Sequence, residues 1–217
     1  MLKVENMTKT YKDKIIFQNT NFKAESGEIV LLMGKSGIGK STLLDIIAGI
    51  KRFDTGDYYY LNEKISPKDD EKMSAFRNKT IGYILQDFAL IDEYTVMENI
   101  MLPSLYNSNV KRERIAERAK KLAEQFDLLE VINKKVKNIS GGQKQRVAII
   151  RSLILNPPII LADEPTTNLD LENFELVMKM FKSLKAEGKT IIIATHDERI
   201  LDISDRTYKI ENYQLVV

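Results

Sequence analysis

The run Gly34-Lys35-Ser36-Gly37-Ile38-Gly39-Lys40-Ser41 has the spacing of a P-loop, and it lies between the apolar run Ile29 to Met33 and a stretch that reads as helix from Lys40 to Gly49. Glycines let the backbone curl so that successive N–H groups and the helix N-terminus face a phosphate. Lys40 then reaches the β- and γ-phosphates, Ser41 supplies a hydroxyl to magnesium, and Thr42 continues the first helical turn beside them. A glycine-rich turn before a helix would share part of this composition. The complete pattern in a strand-to-helix context points instead to a nucleotide, ATP with Mg2+ as cofactors.

A second group of chemical residues follows another apolar strand. Ile159-Ile160-Leu161-Ala162 ends in Asp163-Glu164, which places two carboxylates at the C-terminal edge of a parallel sheet, the Walker B arrangement. Asp163 can hold the metal through water, and Glu164 can orient and deprotonate the attacking water. By itself such a pair reads equally well as a solvated loop; after a P-loop it reads as a hydrolytic site. His196, the single histidine, stands just beyond the apolar run Ile191 to Ala194. A lone histidine is usually structural or exposed, but this strand-end position suits a hydrogen bond to the γ-phosphate better than metal ligation, for which the chain lacks partners. Ser140-Gly141-Gly142-Gln143, immediately before a helix, repeats the P-loop logic and forms a candidate second anion site. Alone it would be a serine N-cap with a glycine turn.

These groups need a sheet whose strand ends converge. Leu2 to Met7, Ile15 to Phe22 and Ile29 to Met33 read as strands, with further strand signal at Asp57 to Leu61 and Ile81 to Leu85. From Tyr94 to Leu155 the texture is helical, with Ile115, Ala119, Leu122, Ala123 and Phe126 at three- and four-residue intervals. Strand Ile159 to Ala162, helix Leu171 to Ala186 and strand Thr190 to Ala194 then restore β–α alternation, the pattern of a parallel sheet with crossover helices. The α/β core is therefore interrupted by a helical insertion. Lys111-Arg112-Glu113-Arg114 reads as a solvated helix face.

Composition narrows the class. With 217 residues and 43% hydrophobic content, the chain supports one folding unit. Lys and Arg number 33 against 31 Asp and Glu, a net charge of +2 without the basic footprint of a nucleic-acid binder. The absence of cysteine excludes disulfides and thiolate metal sites and fits a reducing compartment. The N-terminus lacks signal-peptide character, and no apolar run has membrane-spanning length, so a membrane role would require a partner.

The run Ile139-Ser140-Gly141-Gly142-Gln143-Lys144-Gln145-Arg146 closely resembles the signature motif of the ABC (ATP-binding cassette) family, with Ile139 in place of the usual leading leucine. Other motifs of that family occur in order. Tyr11 resembles the aromatic that stacks on adenine, Gln86 the glutamine that joins core to helical lobe, Asn168-Leu169-Asp170 the D-loop, and His196 the switch histidine. Taken singly, Tyr11 also reads as an edge aromatic, Gln86 as a strand-end polar residue and Asp170 as a helix N-cap; their ordered coincidence singles them out.

The resemblance spans nearly the whole chain. It implies a P-loop NTPase core, RecA-like with a mostly parallel sheet, an N-terminal antiparallel β subdomain and an inserted α-helical subdomain. One domain, 1–217, would consist of a core lobe of about 1–86 and 156–217 and a helical lobe of about 87–155. Glu164, His196 and Gln86 would be catalytic, with Ser41, Gln86 and Asp163 at the metal, partly through water. Ser140, Gly141, Gly142 and Gln143 would face the ATP of an opposite subunit.

The same resemblance implies an ATP-binding and ATP-hydrolysing subunit of an ABC transporter. In the ATP-bound state it would form a head-to-tail homodimer, or a heterodimer with another ABC ATPase, around two ATPs. It would sit in the cytoplasm, peripheral on the inner face of the cell membrane, on an integral membrane permease contacted through the apolar, mobile-looking stretch Gln86 to Leu102. Gln86-Asp87-Phe88-Ala89-Leu90-Ile91, Thr95 to Pro103 and Pro165 to Asp170 resemble the exporter branch of lipoprotein-release, macrolide-export, bacteriocin-export and antimicrobial-peptide-resistance ATPases. Abundant Lys and Ile suit a bacterial protein, and the short C-terminus argues against the sugar-importer branch. The rival readings are a soluble ABC ATPase acting on nucleic acid or the ribosome, and a regulatory module without useful hydrolysis. No nucleic acid is expected from the charge balance, and the presence of Glu164 speaks against a degenerate site.

Overall fold

Strands with apolar side chains at nearly every position can be buried on both faces, and three such strands form the centre of this molecule. The computed structural model describes residues 1–12, 14–66, 69–106, 111–167 and 169–217, with Tyr106 described by its backbone alone; Asn168, assigned to the D-loop by resemblance, lies outside the described residues. In chain order come β1 (Leu2–Tyr11), β2 (Lys14–Ala24), β3 (Ile29–Met33), α1 (Lys40–Ile47), β4 (Thr55–Tyr60), β5 (Glu63–Lys64), α2 (Asp70–Thr80) and β6 (Ile81–Ile84). The second half adds α3 (Val96–Met101), α4 (Arg112–Gln125), α5 (Gly141–Leu153), β7 (Ile159–Asp163), α6 (Leu171–Ala186), β8 (Thr190–Thr195), β9 (Arg206–Glu211) and β10 (Gln214–Val216).

Two sheets result. The first has the order β2-β1-β4-β5 with antiparallel neighbours, and the second has the order β10-β9-β3-β8-β7-β6, parallel except for the β9–β10 hairpin. The α/β class and the mainly parallel core are thus as expected. Successive strand side chains point to opposite faces, and the two cores sort accordingly. Ile29, Leu31, Ile160, Ala162, Ile191 and Ile193 face a core shared with α3, α4, α5 and α6. Val30, Leu32, Ile159, Leu161, Ile192 and Ala194 face a core shared with α1 and the antiparallel sheet, including Phe17, Phe22 and Tyr58. Ile192 is fully buried on β8, between β3 and β7. Ile192→Ala is therefore expected to destabilise the fold by about 2–5 kcal/mol, because transfer energy is lost and a cavity remains. A urea titration should show a lower midpoint with an unchanged slope.

The helical stretch expected from Tyr94 to Leu155 is divided. Thr95 and Glu98 form a capping box that starts α3, a 3-10 turn covers Leu102–Tyr106, and α4 ends before Asp127, whose φ of 52° turns the chain out of the helix. The stretch from Gln86 to Leu102, which reads as mobile in sequence, is tied to its surroundings. The buried Asn99 side chain bonds the Ile91 N–H and the Ile91 and Thr95 carbonyls, while Arg151 donates to the carbonyls of Phe88 and Ala89. Neither α2 nor the β9–β10 hairpin is foreseen from sequence. In α2 the signal is weak because only Met73 and Thr80 of a largely polar helix are buried.

Candidate nucleotide site

Because β3, β8, β7 and β6 run parallel, their C-terminal ends share one sheet edge. The phosphate-loop residues follow β3, Gln86 follows β6, Glu164 follows β7 and His196 follows β8, so four distant segments converge there. A pocket of about 440 Å³ is lined by Lys35, Ser36, Gly37, Gly39, Lys40, Ser41 and Thr42 of the loop and α1, together with Gln86, Glu164 and His196. Ile16 of β2 and Thr167 complete it; neither stands out as a site residue in the sequence. Ile16 and its neighbour Phe17 are both buried on β2, so strand alternation does not single Ile16 out, and its proximity to the loop depends on how the sheets pack.

The loop has local reasons for its conformation. Gly39 has a φ of 120°, and a Cβ there would lie 2.8 Å from the Ile16 side chain and 3.2 Å from Phe17, so both backbone and space require glycine. Helix α1 starts at Gly39 without a side-chain cap, leaving its first N–H groups available to an anion. In contrast, α5 carries its own cap: Ser140 Oγ accepts from the Gln143 N–H at 3.3 Å, and Gln143 Oε1 accepts from the Ser140 N–H at 2.9 Å. Asp170 likewise caps α6, accepting from the Asn173 N–H at 2.9 Å.

At the centre of the pocket stand two opposite charges. Lys40 Nζ donates to the Gly34 carbonyl at 2.8 Å and lies 3.3 Å from Glu164 Oε1, with side-chain exposures of only 6% and 10% for the pair. Glu164 Oε2 accepts from Thr195 Oγ1 at 3.3 Å and Thr167 Oγ1 at 3.5 Å, and lies 2.9 Å from Nδ1 of the exposed His196. Its backbone adopts a φ of 48°, held by an N–H bond to the Ala194 carbonyl at 2.8 Å. A left-handed non-glycine residue is strained by about 1–3 kcal/mol, a cost that aims this carboxylate into the pocket.

The two neighbouring acids are driven apart. Burial pushes the Asp163 carboxyl above its ordinary value, with the Ser41 hydroxyl pulling the other way. For Glu164 burial also acts upward, but the hydrogen bond with His196 and the charge of Lys40 outweigh it, so this carboxyl lies below its ordinary value. Glu164 is accordingly held ionised. Asp163 Oδ1 is buried without a hydrogen-bond partner in the chain, on a carboxylate that interacts with Ser41. An orphaned carboxylate oxygen next to a hydroxyl is the donor chemistry that Mg2+ takes. Among the described residues no cluster of three or more His, Asp or Glu could hold a metal alone.

The remaining expected residues stand elsewhere. Gly34 supplies the carbonyl that Lys40 binds, and half-buried Ile38 packs against the core beneath the loop. Tyr11, at the end of β1, lies outside this pocket, 41% exposed with Lys9 Nζ 4.6 Å from its ring centroid. Ser140, Gly141, Gly142, Gln143 and Asp170 also lie outside it, at the starts of α5 and α6. These two starts are joined, since Arg146 donates to Asn173 Oδ1 at 3.2 Å, while Gln145 ties α5 to the segment after β7 by donating to the Pro165 carbonyl.

A phosphate loop, a strand-end acid pair and an uncapped helix on the C-terminal edge of a mainly parallel sheet define a P-loop nucleoside triphosphatase. The family described as ABC transporter matches residues 17–167. The ABC transporter ATP-binding protein YvrO of Bacillus subtilis is 39% identical over 221 residues, covering 100% of this chain and 96% of its own length. The lipoprotein-releasing system ATP-binding protein LolD of Cytophaga hutchinsonii is 40% identical over 207 residues, covering 95% and 94%. Among solved structures, a dimeric post-hydrolysis state of the ATP-binding cassette MJ0796, bound to ADP and Pi, has a TM-score of 0.91 at 37% identity and covers 100% of this chain and 97% of that one. A sequence relative of the same name comes from Methanocaldococcus jannaschii. The chain belongs to the ABC transporter family and is an ATP-binding, ATP-hydrolysing subunit of such a transporter. The rival reading of a soluble ATPase acting on nucleic acid falls away.

Proposed function

We propose that this subunit works as a head-to-tail dimer in which the P-loop pocket of one copy is completed by Ser140, Gly141, Gly142 and Gln143 of the other, and that ATP-driven closure powers export or extraction by a separate membrane permease. The observation that carries the reading is the separation, in one chain, of the open helix start at the P-loop from the exposed, serine-capped start at the signature motif. Lys40, Glu164 and His196 converge at the start of α1, while Ser140 and Gly141 are exposed at the start of α5. Two copies related by a twofold axis would bring unlike starts together twice. The MJ0796 cassette, described as dimeric, and the LolD relative support the dimer and the export branch. We take 1–86 and 156–217 as the core lobe, 87–155 as the helical lobe, and the stretch from Gln86 to Leu102 as the permease contact. Among the described residues no helix is long and apolar enough to cross a membrane, so attachment to the inner face of the cell membrane from the cytoplasm would depend on that permease.

In this reading Lys40 and the open N–H groups from Lys35 to Thr42 bind the phosphates, Tyr11 stacks on adenine, and Asp170 belongs to the D-loop beside the dimer seam. Ser41, Asp163 and Gln86 would hold Mg2+, partly through water; when bound, the ion neutralises charge on the phosphate oxygens. Glu164 takes a proton from the attacking water as its oxygen bonds to the γ-phosphorus, and the bond to the bridging oxygen breaks to leave ADP and phosphate. His196 contacts the transferred phosphoryl group.

His196→Ala is expected to lower kcat by about 10²-fold while changing ATP affinity much less, since its contact strengthens as charge develops. Steady-state ATPase assays and calorimetric ATP titration check this; equal losses in both would reduce His196 to a binding contact. For the transport role, affinity capture from native membranes in mild detergent is expected to bring along a multi-spanning membrane protein. Recovery in a nucleic-acid or ribosomal fraction instead would overturn the permease partnership.

A further inference from the structure

A second pocket, of about 300 Å³, opens where α4, the end of α5 and the end of α6 meet the start of β8. Leu153 ends α5, whose first residue follows Ser140, and Lys189 precedes the first residue of β8, whose last precedes His196. The pocket therefore lies at the sheet edge opposite the nucleotide site, with the length of α5, about 20 Å, between it and the signature motif. Leu122, Phe126, Leu153, Met180 and Leu184 supply an apolar wall.

Two cations share this wall. Lys189, 9% exposed, donates to Asn156 Oδ1 at 2.6 Å and to the Asn156 carbonyl at 3.2 Å. Arg118 donates through Nη2 to the same Asn156 Oδ1 and to the Leu153 carbonyl, both at 3.3 Å, and its Nε is buried with no hydrogen-bond partner. Among the described residues neither cation has a carboxylate within ion-pairing distance; Glu187 lines the rim without pairing. Burial, then the charge of Arg118, press Lys189 below its ordinary value, and Glu187 only partly offsets them. Two like charges held on one neutral amide oxygen, with a guanidinium N–H left over and no paired carboxylate, form a site that favours an anion.

We propose that this pocket binds a small amphipathic carboxylate, its head group between Arg118 and Lys189 and its chain on the Leu122, Phe126 and Met180 wall. The guanidinium fork matches a carboxylate, and the volume lies at the small end of ligand pockets, which span about 300–1,000 Å³. A nucleotide would leave the apolar wall without a partner, and a neutral lipid would leave the two charges uncompensated.

The test is calorimetric titration of the full chain with decanoate below its micellar range, beside decanol and decyltrimethylammonium. Saturable decanoate binding is expected at one site per chain, at least about tenfold tighter than decanol, with no binding of the cation. Arg118→Met keeps the apolar stem but removes the fork, and Leu122→Glu places a negative charge on the partly buried wall; each should weaken decanoate about tenfold or more while ATP turnover without decanoate stays unchanged. Thermal melting confirms that each variant folds. Lys40→Ala should bind decanoate as wild type does. Equal affinity for decanoate and decanol would reduce the site to an apolar groove. Absence of saturable binding, or wild-type decanoate affinity in both Arg118→Met and Leu122→Glu, would overturn the proposal.

Discussion

Glu164→Gln is expected to lower ATP turnover by about 10²–10⁴-fold while leaving ATP affinity at or above the wild-type level. The amide has nearly the same shape and keeps an oxygen for the hydroxyls of Thr195 and Thr167, which now reach Glu164 at 3.3 and 3.5 Å, but it cannot accept a proton from water. It also removes the negative charge 3.3 Å from Lys40 Nζ, so the lysine meets the phosphates without a competing carboxylate. Binding should therefore persist when chemistry stops, and in ATP the variant should accumulate as a dimer of twice the monomer mass. Steady-state ATPase assays, equilibrium ATP binding and light scattering in ATP measure the three parts. Turnover near wild type would remove Glu164 from the base role, and a monomeric mass in saturating ATP would count against the dimer.

The second large effect separates the two halves of the composite site. Lys40→Ala removes the cation nearest the β- and γ-phosphates and is expected to abolish turnover and weaken ATP, since charge-assisted hydrogen bonds are among the strongest available. Ser140→Arg keeps the P-loop but breaks the capping box at the start of α5 and projects a long side chain where the partner's γ-phosphate would lie. Each variant alone should be inactive, because every site in its homodimer carries a lesion. A mixed dimer places both lesions at one site and leaves the other intact, so mixing should restore up to about a quarter of wild-type activity if sites fire independently. Wild-type specific activity should also rise with protein concentration until the dimer saturates. No rescue, together with concentration-independent activity, would return Ser140, Gly141 and Gly142 to the role of a helix cap.

The chemistry of the site was legible in sequence where it is written into local backbone requirements. Gly39 needs a positive φ directly before α1, and the acid pair must end an apolar strand, so both leave marks within a few residues of themselves. The double burial of β3, β7 and β8 was equally local, since runs without polar alternation can only lie inside. Segments such as α2 left little trace because so few of their residues are buried.

The order β3-β8-β7-β6 was decided by tertiary structure alone, and with it the meeting of Lys40, Glu164, Thr195 and His196 from three strand ends. The same holds for Ile16 against Gly39, for Asn99 and Arg151 fastening the stretch after Gln86, for the position of Tyr11 outside the pocket, and for Arg118 and Lys189 converging on Asn156. Sequence periodicity reports which face of an element is buried, because that depends on neighbours along the chain. Which elements become neighbours is set by long-range packing of those faces, and a charge or hydroxyl has no partner until that packing has closed.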